Sequence, residues 1–306
     1  MNSNRKSKFA PLYVITAGIL WGMMGLLVRR MNEEGYTSME ITAFRAVISA
    51  VILSAISLII KPQSFKIRVK DIWVFLGTGL LSVVFFNVCY FSCMTMTTLS
   101  VAAILLYTAP AFVLILSFFI FKEKLTGRKL ICLVMTFIGC VLVSGGPGSI
   151  KLSIPGLLLG LGAGFGYALY SIFGKIAVKK GYSSLTITVY TFIFATAGTL
   201  ILIKPAHFIN CLTVSRNSIP LEAFLVLLNT VAAYILYTKG LEGTETGKAS
   251  ILATIEPVTA CVVGMIFFGE FPGIVAYIGI ALVLAGCIIQ NIKSEKTSNF
   301  GKRIDI

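Results

Sequence analysis

The sequence predicts an all-α integral membrane protein with ten transmembrane helices, arranged as two inverted five-helix repeats. Three observations lead to this fold class. Of the 306 residues, 57% are apolar and 12% are charged, whereas soluble domains are about 45–50% apolar and about 25% charged. The apolar residues fall into ten long runs, and the second half of the chain repeats the pattern of the first.

Each transmembrane helix needs about 20 consecutive, mostly apolar residues. Ten runs approach or exceed this length, and most of the connections between them are short. The longest predicted loop lies near 205–218 and contains His207, the only histidine. The predicted spans are 11–30, 39–60, 72–94, 100–121, 129–146, 154–176, 184–204, 219–239, 247–268 and 273–291.

Lys and Arg residues predict the orientation of these spans. With the N-terminus inside, twenty of them lie in cytoplasmic segments and five in outer segments. Cytoplasmic loops of membrane proteins carry such an excess. The net charge of +14 is therefore explained without a nucleic-acid partner. We expect a multi-pass protein of the cytoplasmic membrane with both termini in the cytoplasm.

The chain contains an internal repeat. A shift of 147 residues aligns 90–140 with 237–287 and gives eleven identities, where about four would arise by chance in so apolar an alphabet. Towards the N-terminus the shift falls to 146 and then to 144, as loop insertions would produce. The predicted units are 1–148 and 149–306. Identities include Tyr90/Tyr237, Pro110/Pro257, Glu123/Glu270 and Cys140/Cys287.

Because each unit has five spans, the second unit enters the membrane in the opposite orientation. Inverted repeats of this kind occur in many secondary transporters, which bind their substrate near the middle of the membrane between the two halves. The alternative is a structural protein enlarged by duplication. Small-xxx-small patterns of glycine, at 18, 22, 160, 162, 164 and 166, are interpreted as close helix packing.

Glu256 is the main candidate for chemistry, since it lies near the middle of its predicted helix, where an ionisable group is costly. Two interpretations are open. It carries a proton or acts as counter-ion to an amine-bearing substrate, or it is a protonated side chain bonded to a neighbouring helix. Pro257 and its repeat equivalent Pro110 are predicted to kink their helices and free backbone carbonyls. The carboxylate itself has no equivalent, because Ala109 precedes Pro110.

Arg45 lies inside the second predicted helix and also has two interpretations. It binds an anionic group of the substrate, or it is structural, extending towards the surface or pairing with Glu40 or a helix C-terminus.

A set of polar and aromatic residues predicts the wall of a substrate cavity. Asn87 and Tyr90 share one face of the third predicted helix, and Tyr234 and Tyr237 occupy the equivalent face of the eighth. Aromatic rings with one hydrogen-bonding group suit a pocket for small amphiphilic molecules. Interfacial belts or ordinary packing are the alternative. Further members of the predicted lining are Trp21, Tyr107, Tyr167 and Tyr170.

Other classes of protein are disfavoured. The sequence has no GxxxxGK[ST] nucleotide-binding loop and no cluster of intramembrane catalytic groups. We therefore expect no enzyme, no catalytic residues, no metal site and no cofactor. The expected partners are a small-molecule substrate, the lipid bilayer and protons, and the protein is expected to be a monomer or a dimer.

Several short motifs follow one another in a characteristic order. They are Leu20-Trp21-Gly22, Phe44-Arg45-Ala46, Tyr107-Thr108-Ala109-Pro110, Lys122-Glu123-Lys124-Leu125, Ile255-Glu256-Pro257-Val258 and Phe268-Gly269-Glu270. With these motifs the chain resembles the ten-helix EamA-type family in the drug/metabolite transporter superfamily, over about residues 10–292. The resemblance implies export or exchange of amino acids, nucleobase-like compounds, other metabolites or drugs through a central cavity near Trp21 and the tyrosines.

These observations predict a secondary transporter for a small metabolite that works by alternating access. An exporter is the expected form, driven either by a proton gradient, with Glu256 as the candidate proton carrier, or by the substrate's own gradient. A passive facilitator or channel is the first alternative, and a membrane-embedded enzyme is a weaker one.

Overall fold

The protein is all-helical in the part that the computed structural model describes, residues 9–144 and 153–292. Nine helices in these residues are long and apolar enough to cross a membrane, which confirms the predicted all-α membrane class. They are α1 (Ala10–Glu33), α2 (Ser38–Ile60), α3 (Val69–Met96), α4 (Leu99–Phe121), α6 (Ile154–Lys179), α7 (Ser184–Leu202), α9 (Ile219–Gly243), α10 (Thr246–Phe268) and α11 (Ile274–Asn291). Two shorter helices, α5 (Gly127–Val143) and α8 (Pro205–Val214), complete the set.

Helix α5 corresponds to the predicted span 129–146, whose last two residues lie outside the described part of the chain. Its 17 residues extend about 26 Å at 1.5 Å per residue, slightly less than the hydrocarbon thickness of about 30 Å. It packs antiparallel to α11 through glycines. A Cβ atom placed on Gly139 would lie 2.7 Å from the carbonyl oxygen of Gly279, and one on Gly286 would lie 2.7 Å from Thr136.

The prediction of a loop near 205–218 was wrong, because its first ten residues form α8. Pro205 lies in the first turn, where its missing N–H costs nothing. Phe208 and Cys211 are buried against Leu27, Met31 and other residues at the end of α1 and the start of α2. Burial of one apolar face stabilises this helix, which is too short to span a membrane.

The principal helix–helix contacts are symmetric between the two halves: when each helix is replaced by its equivalent in the other half, the same set of pairs results. Helix α1 packs against α9 and α10, and α6 packs against α3 and α4. The remaining principal pairs, α2 with α7 and α5 with α11, map onto themselves.

Equivalent helices also share local irregularities. Gly35 and Gly181 have φ of 91° and 89° in the turns before α2 and α7, a backbone region that favours glycine. Both α3 and α9 contain a π-helical segment, Gly77–Val84 and Leu227–Ala232.

The helix ends form two faces. We call the face with the α2–α3, α4–α5, α6–α7 and α9–α10 connections the basic face. Ion pairs join its segments, with Lys180 Nζ 2.7 Å from Asp71 Oδ1 and Lys129 Nζ 2.8 Å from Glu245 Oε2. The opposite face holds the α1–α2, α3–α4 and α10–α11 connections and α8. Lys and Arg on the basic face are Lys61, Lys66, Arg68, Lys70, Lys122, Lys124, Arg128, Lys129, Lys175, Lys179, Lys180, Lys239 and Lys248.

Substitution of Gly139 by alanine tests the contact between α5 and α11. The added methyl group would overlap the Gly279 carbonyl, and overpacking of this kind costs about 1–3 kcal/mol. We expect a lower midpoint of thermal unfolding for purified Gly139→Ala. Gly25→Ala is the control, because nothing lies within 4 Å of a Cβ at that position. Equal midpoints in both variants would contradict the close approach.

Candidate functional site

Two interrupted helices form the centre of the protein. Helix α4 is interrupted at Tyr107–Thr108, and α10 is interrupted at Thr254. Pro110 and Pro257 lie in the first turn of the segments that follow. The Thr108 and Thr254 hydroxyls donate to the carbonyl oxygens of Leu105 and Ile251, each at 2.6 Å. Each oxygen also accepts the backbone N–H of the same threonine, at 3.2 Å, so both are bonded within the protein, where an apolar medium offers no donor.

Glu256 lies in the first turn of the second segment of α10. Its Oε2 accepts a hydrogen bond of 3.0 Å from the Tyr167 hydroxyl of α6. The N-terminus of a helix favours a negative charge at this position. Helix α1 approaches closely here, since a Cβ on Gly22 would lie 2.5 Å from the Glu256 carbonyl oxygen. Glu256 is therefore held between α1 and α6.

A cavity of about 300 Å³ extends from this centre to the opposite face. Its deep end includes Glu256, Trp21 and Arg45, and its mouth includes Asn32 and Leu99, both exposed. It lies between α1 and α3, and its other lining residues are Met24, Gly25, Val28, Ser38, Phe86, Asn87, Tyr90, Phe91, Met94, Leu106, Tyr167 and Tyr234.

Arg45 presents its guanidinium group to this cavity. Its Nε donates to Thr230 Oγ1 at 3.1 Å, and Thr230 belongs to the π-helical segment of α9. Among the described residues, no carboxylate oxygen lies within 4.0 Å of the guanidinium group. Glu40, a partner considered from sequence, instead forms a capping box with Thr37. The positive charge is thus available to a cavity ligand.

Asn87 links two helices at the cavity wall. Its Nδ2 donates to the Val83 carbonyl oxygen at 2.7 Å, and its Oδ1 accepts from Thr42 Oγ1 of α2 at 3.3 Å. Val83 lies in the π-helical segment of α3. Such segments occur frequently at functional sites, and each of these two bonds a residue of the cavity wall, Val83 to Asn87 and Thr230 to Arg45.

The predicted lining residues divide into two groups. The first group lines the cavity and consists of Trp21, Asn87, Tyr90, Tyr167, Tyr234, Glu256 and Arg45. Tyr107, Tyr170 and Tyr237 do not line it. Tyr107 borders a small space beside Glu256 and Tyr167 and also a separate cleft of about 420 Å³ near Glu270. Tyr170 and Tyr237 lie deeper, towards the basic face.

An aromatic cluster closes the cavity on the side of the basic face. Trp21 and Tyr237 have ring centroids 5.1 Å apart, and Tyr170 and Tyr234 are 4.8 Å apart. Hydrogen bonds fix the two deeper rings: one joins the hydroxyls of Tyr170 and Thr238, the other those of Tyr237 and Ser171, each at 2.7 Å. The cavity therefore ends at this aromatic cluster.

The structure also brings together three residues that were not predicted as a group. His207 Nδ1 lies 2.8 Å from Glu40 Oε1 and 3.8 Å from Cys211 Sγ. The sequence signal was the spacing of four between His207 and Cys211, which places both on one face of a helix. This spacing carries no meaning in a loop, and the sequence predicts a loop for this segment.

Comparisons with known proteins agree with this architecture. The family model described as the EamA-like transporter family matches residues 8–145 and 154–292. The chain is 26% identical over 297 residues to the uncharacterized transporter YwfM of Bacillus subtilis, covering 95% of this chain and 96% of that one. It is 24% identical over 301 residues to the uncharacterized transporter YxxF of the same organism, covering 97% and 94%.

A solved crystal structure shares the fold, with a TM-score of 0.74 and 17% identity, covering 92% of this chain and 95% of that one. The family resemblance predicted from the short motifs is confirmed by the match of the family model to both halves. The family and the curated relatives are transporters rather than enzymes. This chain belongs to the EamA-like transporter family of membrane proteins.

Proposed function

We propose that the protein is a secondary transporter that exports a small amphiphilic metabolite across the cytoplasmic membrane by alternating access. The observation that carries this proposal is a central cavity that, among the described residues, has its exposed mouth residues at one face and ends at the aromatic cluster towards the other. A substrate that enters it meets the aromatic cluster and can leave on the other side only after a conformational change.

An inverted repeat accounts for this arrangement. In the proposed topology α5 completes ten spans, and the halves 1–148 and 149–306 have opposite orientations. The exchangeable helix pairs and the two matches of the family model support it. By the excess of Lys and Arg, the basic face and both termini lie in the cytoplasm. The described conformation is then open to the outside.

The cavity suits a substrate with both charged and apolar parts. Arg45 and Glu256 offer opposite charges, whereas Trp21, Phe86 and Tyr234 offer aromatic surface. A volume of about 300 Å³ is at the lower end of the range for small-ligand sites. We infer that an amino acid or similar amphoteric metabolite fits best. Nucleobase-like compounds and amphiphilic drugs are the other candidates.

A polar gate closes the basic face. The Glu123 carboxylate at the end of α4 accepts hydrogen bonds from the backbone N–H groups of Thr246 and Gly247, at 2.7 and 3.1 Å. It thereby caps the N-terminus of α10. Lys129, with a side chain that is 5% exposed, lies 3.9 Å from Glu123 and 2.8 Å from Glu245. These contacts join the end of α4 and the start of α5 to the α9–α10 connection and the start of α10.

The repeat predicts an equivalent gate at the opposite face, and that gate is open. Glu270 is equivalent to Glu123, and Leu99 and Ser100 at the N-terminus of α4 are equivalent to Thr246 and Gly247. Instead of capping α4, Glu270 accepts a bond of 2.6 Å from Arg29. A cleft of about 420 Å³, bordered by Leu99 and Glu270, lies between them.

In a single state of an alternating cycle, the carboxylate cap at one face is expected to be formed while the equivalent cap at the other face is broken. Opening of the basic face would break the Glu123 cap. Closure of the opposite face would bring Glu270 to the N–H groups of Leu99 and Ser100. Similarly, α6 packs against α9, whereas the cavity separates the equivalent helices α1 and α3.

The two gate carboxylates should have opposite effects on access to the cavity. We expect Glu123→Gln to weaken the cap on α10 and favour the state that is open to the basic face. Labelling of Val28→Cys by a membrane-impermeant maleimide on intact cells should then become several-fold slower. Glu270→Gln should leave labelling unchanged or make it faster. The parent without Val28→Cys gives the background from native cysteines, and equal effects of the two substitutions would refute the paired gates.

Proton coupling through Glu256 is tested by Glu256→Gln. A thermal-shift screen of metabolites on purified protein first identifies a ligand, because binding stabilises the folded state. Uptake of that ligand into proteoliposomes is then measured with and without a pH gradient. We expect the gradient to drive accumulation by the wild type and to lose its effect in Glu256→Gln. Glu33→Gln, an exposed carboxylate at the end of α1, is the control.

A passive facilitator would behave differently in the same assay. It would equilibrate the ligand without accumulation, and its rate would not respond to the pH gradient in the wild type. That result would reject coupling while leaving the cavity as the binding site.

A further inference from the structure

Three side chains of different chemistry meet at the opposite face, outside the central cavity. Glu40 begins α2, whereas His207 and Cys211 lie one turn apart on α8. One ligand atom from each, a carboxylate oxygen, Nδ1 and Sγ, lies within 4.8 Å of the others. Glu40 and Cys211 are 2% and 4% exposed. The His207 side chain is 47% exposed, so the group can be reached from solvent.

The donor set is that of a zinc site. Zinc takes nitrogen at about 2.0–2.1 Å, carboxylate oxygen at about 2.0–2.2 Å and thiolate sulfur at about 2.3 Å, in tetrahedral geometry. Ligand atoms around such an ion are therefore roughly 3.3–3.6 Å apart. The observed separations of 2.8 Å for nitrogen to oxygen and 3.8 Å for nitrogen to sulfur lie on either side of this range. Small movements of the three side chains would bring these separations, and the third, from Oε1 to Sγ, which is at most 4.8 Å, into this range.

The surroundings of Glu40 prepare one of its oxygens for this role. Its Oε2 accepts hydrogen bonds from the Thr37 backbone N–H and hydroxyl, both at 2.8 Å. Its Oε1 is turned towards His207. Hydrogen bonds to the second oxygen orient a metal-binding carboxylate. The helix cap therefore needs only Oε2, which leaves Oε1 for a ligand.

The internal repeat shows that the fold does not require this group. The equivalent of Glu40 is Thr186, and the Ser183 side chain caps α7 without a carboxylate. The connection equivalent to α8, between α2 and α3, contains only one short 3-10 turn, Pro62–Phe65. Glu40, His207 and Cys211 are thus additions to one half, beyond what the shared architecture needs.

We propose that Glu40, His207 and Cys211 bind a thiophilic divalent cation, best fitted by Zn²⁺. The ion displaces the thiol proton of Cys211 and is held by the resulting thiolate, a carboxylate oxygen and the His207 imidazole, with water in the fourth position. It ties α8 of the second half to α2 of the first, beside the cavity mouth at Ser38. The proposed metal site does not depend on the identity of the transported substrate. Binding of the metal ion is measured without a transport assay.

Metal-free purified protein tests the site by titration with Zn²⁺ against a chromophoric zinc chelator. We expect one ion per chain and a higher midpoint of thermal unfolding, while Mg²⁺ at the same concentration has no effect. Cys211→Ser and His207→Gln should each weaken zinc binding at least about tenfold. Cys261→Ser, a partly exposed cysteine bordering the cleft near Glu270, should bind like the wild type.

Cobalt provides a readout that does not depend on the stability of a variant. Co²⁺ added to the wild type should give a thiolate-to-cobalt charge-transfer absorption, which Zn²⁺ removes on addition. Absence of zinc binding in the wild type, absence of the cobalt band, or full zinc affinity in Cys211→Ser would each overturn the proposal.

Discussion

The need to satisfy backbone groups inside an apolar medium governs this structure. Interruptions in α4 and α10 free carbonyl oxygens where neither water nor lipid can bond them. The hydroxyls of Thr108 and Thr254 satisfy part of this need, and close packing shields the rest. A Cβ on Gly164 would lie 2.6 Å from Thr108 Oγ1, and one on Gly18 would lie 3.0 Å from the Ala253 carbonyl oxygen. Glycines of α6 and α1 therefore make the two interruptions possible.

The interruptions in turn allow charge at the centre. Glu256 occupies the first turn after one of them and bonds to Tyr167, while Arg45 is held by Thr230 in a π-helical segment. An ionisable group in a continuous, lipid-facing helix would cost several kcal/mol. Here irregular backbone, hydroxyl groups and the cavity replace part of the lost hydration. The same features that permit the charges also bring them to the cavity surface.

Much of the fold follows from the sequence, because bilayer thickness sets the length of a span and the repeat doubles each signal. The nine long helices and the positions of Pro110 and Pro257 in them agree with the pattern of apolar residues. Helix α8 was missed because ten residues are too few for a clear period. The π-helical segments of α3 and α9 were not predicted. Both Gly77–Val84 and Leu227–Ala232 lie inside long apolar runs, which predict a helix but not its hydrogen-bonding pattern.

The site was harder to predict, because sequence contains the repeat but not the conformational state. Tyr90 and Tyr237 are equivalent in the repeat, yet Tyr90 lines the open cavity and Tyr237 is 3% exposed in the closed aromatic cluster. A residue pattern alone assigns them the same environment. In the proposed cycle the difference arises from which side is closed, and that depends on contacts such as the Glu123 cap, which join distant segments of the chain.

Exchange between equivalent contacts also bears on the energetics of the proposed cycle. If closing one face forms the same kind of carboxylate cap that opening the other breaks, the two states differ by a small free energy. A substrate or proton then needs only a modest difference in affinity to shift the population. Glu256 is well suited to supply that difference. It has no repeat equivalent and lies between the two gates, so its carboxylate would face one side of the membrane and then the other as the gates alternate.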